Sequence, residues 1–299
     1  MSWKPIVVGV DTSPEAASAA AFAVLVAQRA AAACHLVHAA PEVPARGRNP
    51  YPYTRLDEQA RTQVVAALGN RVSAPVLKTL SVRRGPPAAV VRGAVAALGA
   101  ELVVLGGKHH STLGRWWGGS TSVNVARSTT VPLLVTAGEP AIRRVLVAVD
   151  QSRAARPTLA AAERYATLFG AELHALSVIE PLPVLPEVPQ PEATDYDKLL
   201  EQTVTHDIWS LIRTPGVDTL VRYGAALETI LREAAQWRAD LLVVGSHGKG
   251  WVKRMLVGSV TERLINNLPT SLLVVPMAAA AVGSEARESQ RREPVEQDH

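Results

Sequence analysis

The chain is 299 residues long, with 47% hydrophobic and 19% charged residues, which predicts a soluble protein of about two domains. Its single cysteine excludes an internal disulfide, and we find neither an N-terminal signal peptide nor a membrane-spanning apolar run, so we expect a cytoplasmic protein without a membrane partner. The net charge of +4 divides into +7 over residues 1–140 and −3 over residues 141–299, without a dense basic stripe among aromatic residues, which argues against nucleic-acid binding.

Short apolar runs alternate with helical patterns along the whole chain. In the first half, strands are predicted at 5–10, 34–39, 76–82, 102–105 and 132–136, and helices at 14–32, 54–72, 87–98 and 120–128. In the second half, strands are predicted at 143–149, 172–179, 217–222, 241–244 and 271–275, and helices at 153–169, 195–213, 226–238 and 259–267. Continuous runs of Val, Leu and Ile are typical of parallel strands that are buried on both faces, so each half is predicted to be an α/β doubly wound sheet.

The second half repeats the first at a constant offset of 139 residues. The matched landmarks are Asp11 with Asp150, Ser13 with Ser152, His35 with His174, Gly85 with Gly224, and Gly119-Ser120 with Gly258-Ser259. We therefore predict two tandem domains at 1–138 and 141–277, followed by a charged tail at 278–299 that has no apolar period and is expected to be disordered. Cys34 lies in an apolar run and is predicted to be a buried structural thiol.

The candidate site lies beyond strands 1 and 4 of the second half, because open parallel sheets bind ligands at the carboxyl ends of their strands. Asp150 follows strand 1, and a glycine-rich segment, 245–250, follows strand 4. Glycine lets backbone amides approach an anion, and Ser259 with Glu262 is expected to form a capping box at a helix start. These residues predict either a phosphate cradle or only a tight strand–helix connection, and the loop is neither a Walker A nor a Gly-x-Gly-x-x-Gly motif.

The spacing Gly245-x2-Gly248-x9-Gly258-Ser259 resembles the nucleotide motif of the universal stress protein family. The element Val221-x-x-Gly224 and the closing strand at 271–276 are also similar to that family. Because both halves carry the likeness, the chain resembles a tandem-domain member. The resemblance implies two five-stranded parallel sheets of the Rossmann-like, adenine nucleotide alpha hydrolase-like type, each with strand order 3-2-1-4-5.

The same resemblance implies ATP as the cofactor, with Mg²⁺ held through the phosphates and not by a protein metal site. Asp150 would hydrogen-bond the adenine or ribose side and Val178 would line the adenine pocket. The remaining cofactor-binding residues would be Gly245, Ser246, Gly248, Gly258, Ser259, Val260 and Thr261. An alternative for Asp150 is a carboxylate that caps the turn after its strand.

The first half departs from the motif because His109 stands where the repeat has Gly248. A bulky side chain would replace a bare backbone beside the phosphates, and a positive φ there would strain a non-glycine residue. The matching residues that remain in this degenerate first site are Asp11, Gly106, Gly119 and Ser120. We expect weak or no ATP binding in this half; the alternative is that the basic segment 108–110 supplies charge to another anion.

The leading hypothesis is a regulatory ATP-binding module of the stress response whose halves form an intramolecular pseudo-dimer. The resemblance implies that the last strands, at 133–135 and 272–274, pair across the pseudo-twofold, and such pairing would cover two exposed sheet edges. We also expect a homodimer and a protein partner that the sequence does not identify. The alternatives are a nucleotide-independent adaptor and a slow ATPase, although we find no nucleophile–base pair and only His247 near the phosphates as an acid or base.

Overall fold

The computed structural model describes residues 3–42, 53–107, 119–138, 141–180, 193–247 and 257–277. The strands of the first half are β1 (Ile6–Gly9), β2 (Cys34–Ala40), β3 (Ser81–Arg84), β4 (Leu102–Gly106) and β5 (Leu133–Thr136). Its helices are α1 (Pro14–Ala30), α2 (Tyr53–Leu68), α3 (Ala74–Leu77), α4 (Pro87–Leu98) and α5 (Gly119–Ser128). A 3₁₀ turn, Gly69–Arg71, extends α2.

The second half follows the same plan. Its strands are β6 (Arg144–Ala148), β7 (Glu172–Ile179), β8 (Asp218–Tyr223), β9 (Leu241–Gly245) and β10 (Ser271–Val275). Its helices are α6 (Ala155–Phe169), α7 (Ala193–Thr203), α8 (Ala226–Gln236) and α9 (Ser259–Asn266), and α7 continues through a π turn at Val204–Ile208 and a 3₁₀ turn at Trp209–Leu211. The matched glycines after the third strands, Gly85 and Gly224, both have positive φ, at +131° and +134°. The repeat in sequence is therefore a repeat in backbone conformation.

The strand order confirms the predicted topology in both halves. The sheet runs β3-β2-β1-β4-β5-β10-β9-β6-β7-β8, so each half has the order 3-2-1-4-5 with parallel neighbours. The last strands pair antiparallel, with Leu134 opposite Leu273 at the centre of the register, so the pairing that the family resemblance implied is present. Two parallel five-stranded sheets are therefore joined into a single sheet of ten strands.

The predicted third strand at 76–82 is wrong in its first half. Residues Ala74–Leu77 form one helical turn with a proline in its first positions, and the strand begins only at Ser81. The Thr79 side chain replaces a hydrogen bond of the strand ladder at this position. Its hydroxyl accepts the Leu36 N–H at 3.2 Å and donates to the Val76 carbonyl at 2.6 Å. A short apolar run does not distinguish a strand from a helical turn, and the proline presets a helical φ.

Helices cover both faces of the sheet. One apolar cluster combines α1, α2 and α6 with the sheet and includes Cys34, which is buried as predicted and whose pKa burial raises to about 12. The other cluster combines α4, α5, α8 and α9 with the opposite face. The first cluster contains residues of both halves, from Ile6 to Val275, so the two halves share a core.

Polar contacts on both sides of the β5–β10 pair connect the halves. Arg127 of α5 makes a bidentate ion pair with Glu262 of α9, with both N···O distances 2.9 Å. Ser271 exchanges two hydrogen bonds of 3.1 Å with the backbone of Ala137. On the other face, the Arg164 guanidinium lies 3.6 Å from the centre of the Trp3 ring. The junction is therefore fixed by side chains from both halves and by the strand ladder.

Some predicted features lie outside the described residues. They are the tail at 278–299, Gly248 of the second site and His109 of the first. Gly119 and Ser120 are described only as the backbone start of α5. Within the described ranges, no helix combines the length and apolar character that a membrane crossing requires.

Candidate functional site

The site is a crevice at the carboxyl ends of β6 and β9. These parallel strands are neighbours, with Ala148 in register with Val244, yet their following helices α6 and α9 belong to clusters on opposite faces of the sheet. The strand order reverses between them, which is the position at which open α/β sheets bind ligands. The topology therefore brings the predicted residues Asp150 and Ser246 to the same edge of the sheet.

Asp150 caps the turn between β6 and α6. Its Oδ1 atom accepts the Ser152 N–H at 3.0 Å, and the Ser152 hydroxyl oxygen accepts the Ala154 N–H at 3.2 Å. Asp11 repeats the first contact by accepting the Ser13 N–H at 2.8 Å, and Ser13 caps α1. The turn-capping role considered from the sequence is thus present in both halves. It also fixes the Asp150 carboxyl group at the mouth of the crevice.

Gly245 ends β9 where α6 passes closely. An added Cβ atom at this position would lie 3.0 Å from the Ala154 Cβ and 3.2 Å from the Thr158 hydroxyl oxygen. At Gly106, in the first half, the Cβ would lie only 2.6 Å from the backbone C and O of Glu15. Close helix–strand packing is therefore a reason for a glycine at both positions that does not involve a phosphate, and the restriction is strict at Gly106 and weaker at Gly245.

Ser246, which is buried, and His247, which is partly buried, form a hydrogen-bonded pair directly after β9. Ser246 is 1% exposed, its N–H donates to the Val275 carbonyl at 2.8 Å, and its hydroxyl lies 2.8 Å from the Nδ1 atom of His247. The Nε2 atom of His247 is buried and has no hydrogen-bond partner within the described ranges. Burial lowers the pKa of His247, so its imidazole is neutral at pH 7. Sequence reasoning had placed this histidine near the phosphates without its serine partner or its burial.

The start of α9 lies against Ser246. Gly258 donates its N–H to the Ser246 carbonyl at 2.8 Å, and its own carbonyl accepts the first helical bond from Glu262 at 2.9 Å. The amides of the first turn, residues 259–261, precede that bond and form the open donor end of the helix. A helix end of this kind presents N–H groups and a positive dipole end to an anion.

The expected capping box at this helix start is wrong. Gly258 is the N-cap, without a side-chain cap bond, and Ser259 is already the first helical residue. Glu262 pairs with Arg127 of the other half and does not reach back to the helix start. The N-cap is therefore one residue earlier than expected, although the helix itself begins at Ser259 as predicted.

The remaining predicted site residues, Thr261, Val178 and Val260, lie around the crevice in different structural roles. The hydroxyl of Thr261 donates to the Gly245 carbonyl at 2.8 Å and so connects α9 to β9, which leaves its backbone amide as its contribution to the helix end. Val178 lies beside the crevice near the end of β7, two residues beyond the register pair of Leu176 and Ala148. Val260 and Val178 are partly buried and pack on the apolar cluster of the α9 face.

The first half has a different surface at the equivalent place. Gly107 occupies the position of Ser246 and therefore lacks a hydroxyl. An added Cβ at Gly107 would lie 2.1 Å from the Cδ1 atom of Leu268, a second-half residue between α9 and β10. At the offset of 139 residues, the first-half counterpart of Leu268 is Thr129. The second half therefore has no leucine to make the equivalent contact with Ser246. Leu268 therefore occupies the space that a side chain at position 107 would need.

Comparison with known proteins places this fold. The model of the universal stress protein family matches residues 2–137 and again 141–276. A universal stress protein of Mycolicibacterium smegmatis is 31% identical over 292 residues, which cover 90% of this chain and 96% of the relative. A single-domain relative from Thermus aquaticus is 31% identical over 134 residues, or 44% of this chain and 98% of that protein.

Solved structures of the same family share the fold along the whole chain. A universal stress protein from Archaeoglobus fulgidus superposes with a TM-score of 0.62 at 18% identity, over 91% of this chain and 98% of its own. A Pseudomonas aeruginosa protein described as a putative universal stress protein gives 0.60 at 17% identity, over 95% and 98%. With both halves matched by the family model and the sheet arranged as predicted, the chain belongs to the universal stress protein family as a tandem member.

Proposed function

We propose that the second half of this chain binds ATP in the crevice between β6 and β9 and acts as a regulatory module of the stress response. The observation that carries the proposal is the open donor end of α9, which is held against β9 by the Gly258–Ser246 and Thr261–Gly245 hydrogen bonds. The triphosphate is the anion that this helix end would receive. The sequence spacing Gly245-x2-Gly248-x9-Gly258-Ser259 supports the same assignment.

The charges around the helix end fit an anionic ligand. Glu262 is the acidic residue of the first turn of α9, and its carboxylate would repel a phosphate if it turned towards the crevice. The bidentate pair with Arg127 holds it at the junction of the halves. The pair therefore leaves the dipole of α9 available to the ligand.

Each residue of the site has a proposed role. Asp150 bonds the adenine or ribose side, and Val178 lines the adenine pocket. The ribose and phosphates are held by residues of the β9 end, the following loop and the α9 start: Gly245, Ser246, Gly248, Gly258, Ser259, Val260 and Thr261. In this assignment Mg²⁺ is held through the phosphate oxygens of the nucleotide, as the family resemblance implies.

The first half binds ATP weakly or not at all in this proposal. His109 replaces the second loop glycine, and Leu268 packs on Gly107 where the second half has Ser246. Each change removes space or a polar group from the phosphate side of the crevice. Asp11, Gly106, Gly119 and Ser120 remain as the retained part of the ancestral pattern.

The test is isothermal titration of MgATP into the wild type and two matched variants. We expect about one site per chain, loss of that site in Gly248→His, and retention of it in His109→Gly. The two substitutions exchange the same residue pair between repeat positions, so a general effect on folding would not separate them. Binding that survives Gly248→His, or disappears in His109→Gly, would contradict the assignment to the second half.

Slow ATP hydrolysis is a second candidate function. The neutral, partly buried His247 beside Ser246 is the observation in its favour, since a neutral imidazole accepts a proton from water. Sustained phosphate release that is lost in His247→Gln, with MgATP binding retained, would support an enzyme. Absence of any adenine-nucleotide binding at millimolar concentration would instead favour the nucleotide-independent adaptor.

We further propose that domains 1–138 and 141–277 form one intramolecular pseudo-dimer in a cytoplasmic protein that signals through a protein partner. The outer edges of the ten-stranded sheet, β3 and β8, offer a surface through which two chains could form a homodimer. The solution mass from light scattering distinguishes one chain from two.

A further inference from the structure

A cavity of about 110 Å³ lies in the first half, at the end of the sheet opposite the ATP crevice. It lies between the sheet and the C-terminal part of α4, close to the amino ends of β2 and β3. The lining residues that matter here are His35, Thr79, Ser81, Arg83, Ala94 and Leu98. His35 belongs to β2, and Ser81 and Arg83 belong to β3, one residue apart and therefore on the same face.

The second half fills the same place with its own side chains. At the constant offset of 139, the six residues correspond to His174, Asp218, Leu220, Arg222, Glu233 and Trp237. The Trp237 ring stacks on the His174 ring, with centroids 3.7 Å apart and planes 15° apart. The Glu233 carboxylate, 11% exposed, accepts a hydrogen bond of 2.8 Å from the Nε atom of Arg222.

The first half keeps the histidine and the arginine of this arrangement and lacks the tryptophan and the glutamate that contact them. His35 and Arg83 match His174 and Arg222, but Leu98 replaces the stacking tryptophan and Ala94 replaces the carboxylate. Among the described residues, the side chains of His35 and Arg83 form no hydrogen bond or ion pair. Arg83 is exposed, so the cavity opens to solvent at the guanidinium.

We propose that this cavity binds a small organic carboxylate with a flat apolar body. Its carboxylate pairs with Arg83, as Glu233 pairs with Arg222, and its ring lies on His35, as Trp237 lies on His174. An engineered apolar cavity of about 150 Å³ holds benzene, so about 110 Å³ receives most of a single ring while the carboxylate projects towards the open side. The site is separate from the ATP crevice and does not depend on the proposed ATP binding.

Benzoate is the probe, titrated into the full chain and followed by ligand-observed NMR and by the shifts of the imidazole signals of His35. We expect one site per chain, unchanged by saturating MgATP and by Gly248→His. Arg83→Gln should weaken binding about 2- to 5-fold, because an ion pair with an exposed guanidinium is screened by solvent. Benzyl alcohol, which keeps the ring and lacks the charge, should bind about 2- to 5-fold more weakly than benzoate.

The repeat supplies matched variants that transfer the site between halves. Ala94→Glu/Leu98→Trp inserts the side chains of the second half and should abolish benzoate binding. Glu233→Ala/Trp237→Leu removes them from the second half and should create a second site that saturates in parallel with the first. Equal binding of benzoate by the wild type and Ala94→Glu/Leu98→Trp would overturn the proposal, as would absence of binding to the wild type at 10 mM, about 10-fold above a millimolar dissociation constant.

Two further outcomes identify another ligand class and also overturn it. Competition by inorganic phosphate at concentrations at which benzoate binds would indicate a simple anion site. Equal affinities of benzyl alcohol and benzoate would indicate an apolar cavity without a role for Arg83.

Discussion

At the residue scale, substitutions at Ser259 distinguish the contribution of the backbone amide to ligand binding from that of the side chain. It is the first residue of α9, and Gly258 before it has φ −58° and ψ 147°, a conformation that a following proline accepts. Ser259→Pro should therefore preserve the helix start and remove one amide donor. Loss of a hydrogen bond to a charged group costs about 1.5–3 kcal/mol, so we expect MgATP affinity to fall roughly 10- to 150-fold in isothermal titration.

The matched control is Ser259→Ala, which keeps the amide and deletes only the hydroxyl. A similar affinity loss in both variants would assign the binding to the side chain and contradict an amide cradle. The sequence predicted this loop through its glycine spacing, which depends on local geometry. The sequence did not predict the capping of α9 correctly, because Glu262 pairs with Arg127, 135 residues earlier in the chain. A local sequence pattern does not contain such a tertiary contact.

At the scale of elements, the glycines that end β4 and β9 determine how closely the first helix of each half, α1 or α6, approaches the sheet. A Cβ at Gly106 would meet the backbone of Glu15 at 2.6 Å, whereas a Cβ at Gly245 would meet the Ala154 Cβ at 3.0 Å, the Thr158 hydroxyl oxygen at 3.2 Å and the His247 carbonyl oxygen at 3.3 Å. Gly106→Ala must displace a helix and should lower the free energy of unfolding by about 2–3 kcal/mol, whereas Gly245→Ala should cost less than about 1 kcal/mol. Urea unfolding of the two variants measures the difference, and equal losses would contradict it.

Element order was predictable because short apolar runs alternate with helical patterns in both halves and the 139-residue repeat gives the same order twice. The order 3-2-1-4-5 came from the family resemblance, and both halves of the structure have it. The predicted strand at 76–82 was wrong where a proline-led turn and the Thr79 side chain replaced part of a strand ladder. Those competing contacts involve one side chain and a neighbouring strand, so they are invisible to a periodicity argument.

At the scale of the whole molecule, the repeat predicted two matching halves and the family resemblance implied the central β5–β10 pair, but neither predicted where the halves diverge. The cavity beside His35 exists because Ala94 and Leu98 are smaller than Glu233 and Trp237. Leu268, a residue of the second half, extends across the junction of the halves and packs on Gly107. Both features depend on packing volumes on the two sides of the pseudo-twofold, and single-sequence patterns do not encode those volumes.

The continuous sheet and shared core predict that the two halves unfold as one unit. The binding free energy of a ligand in one half should therefore stabilise the other half against unfolding. MgATP at 100 times its dissociation constant adds about 2.7 kcal/mol to the native state, which slows amide exchange by about 100-fold wherever exchange requires global unfolding. We therefore expect hydrogen exchange at Val7 and Val8 of β1 to slow as much as at Val145 and Leu146 of β6, since all four side chains are fully buried. Gly248→His should show neither effect. Protection confined to β6 would mean that the β5–β10 pair and the Arg127–Glu262 bridge join two domains that unfold independently.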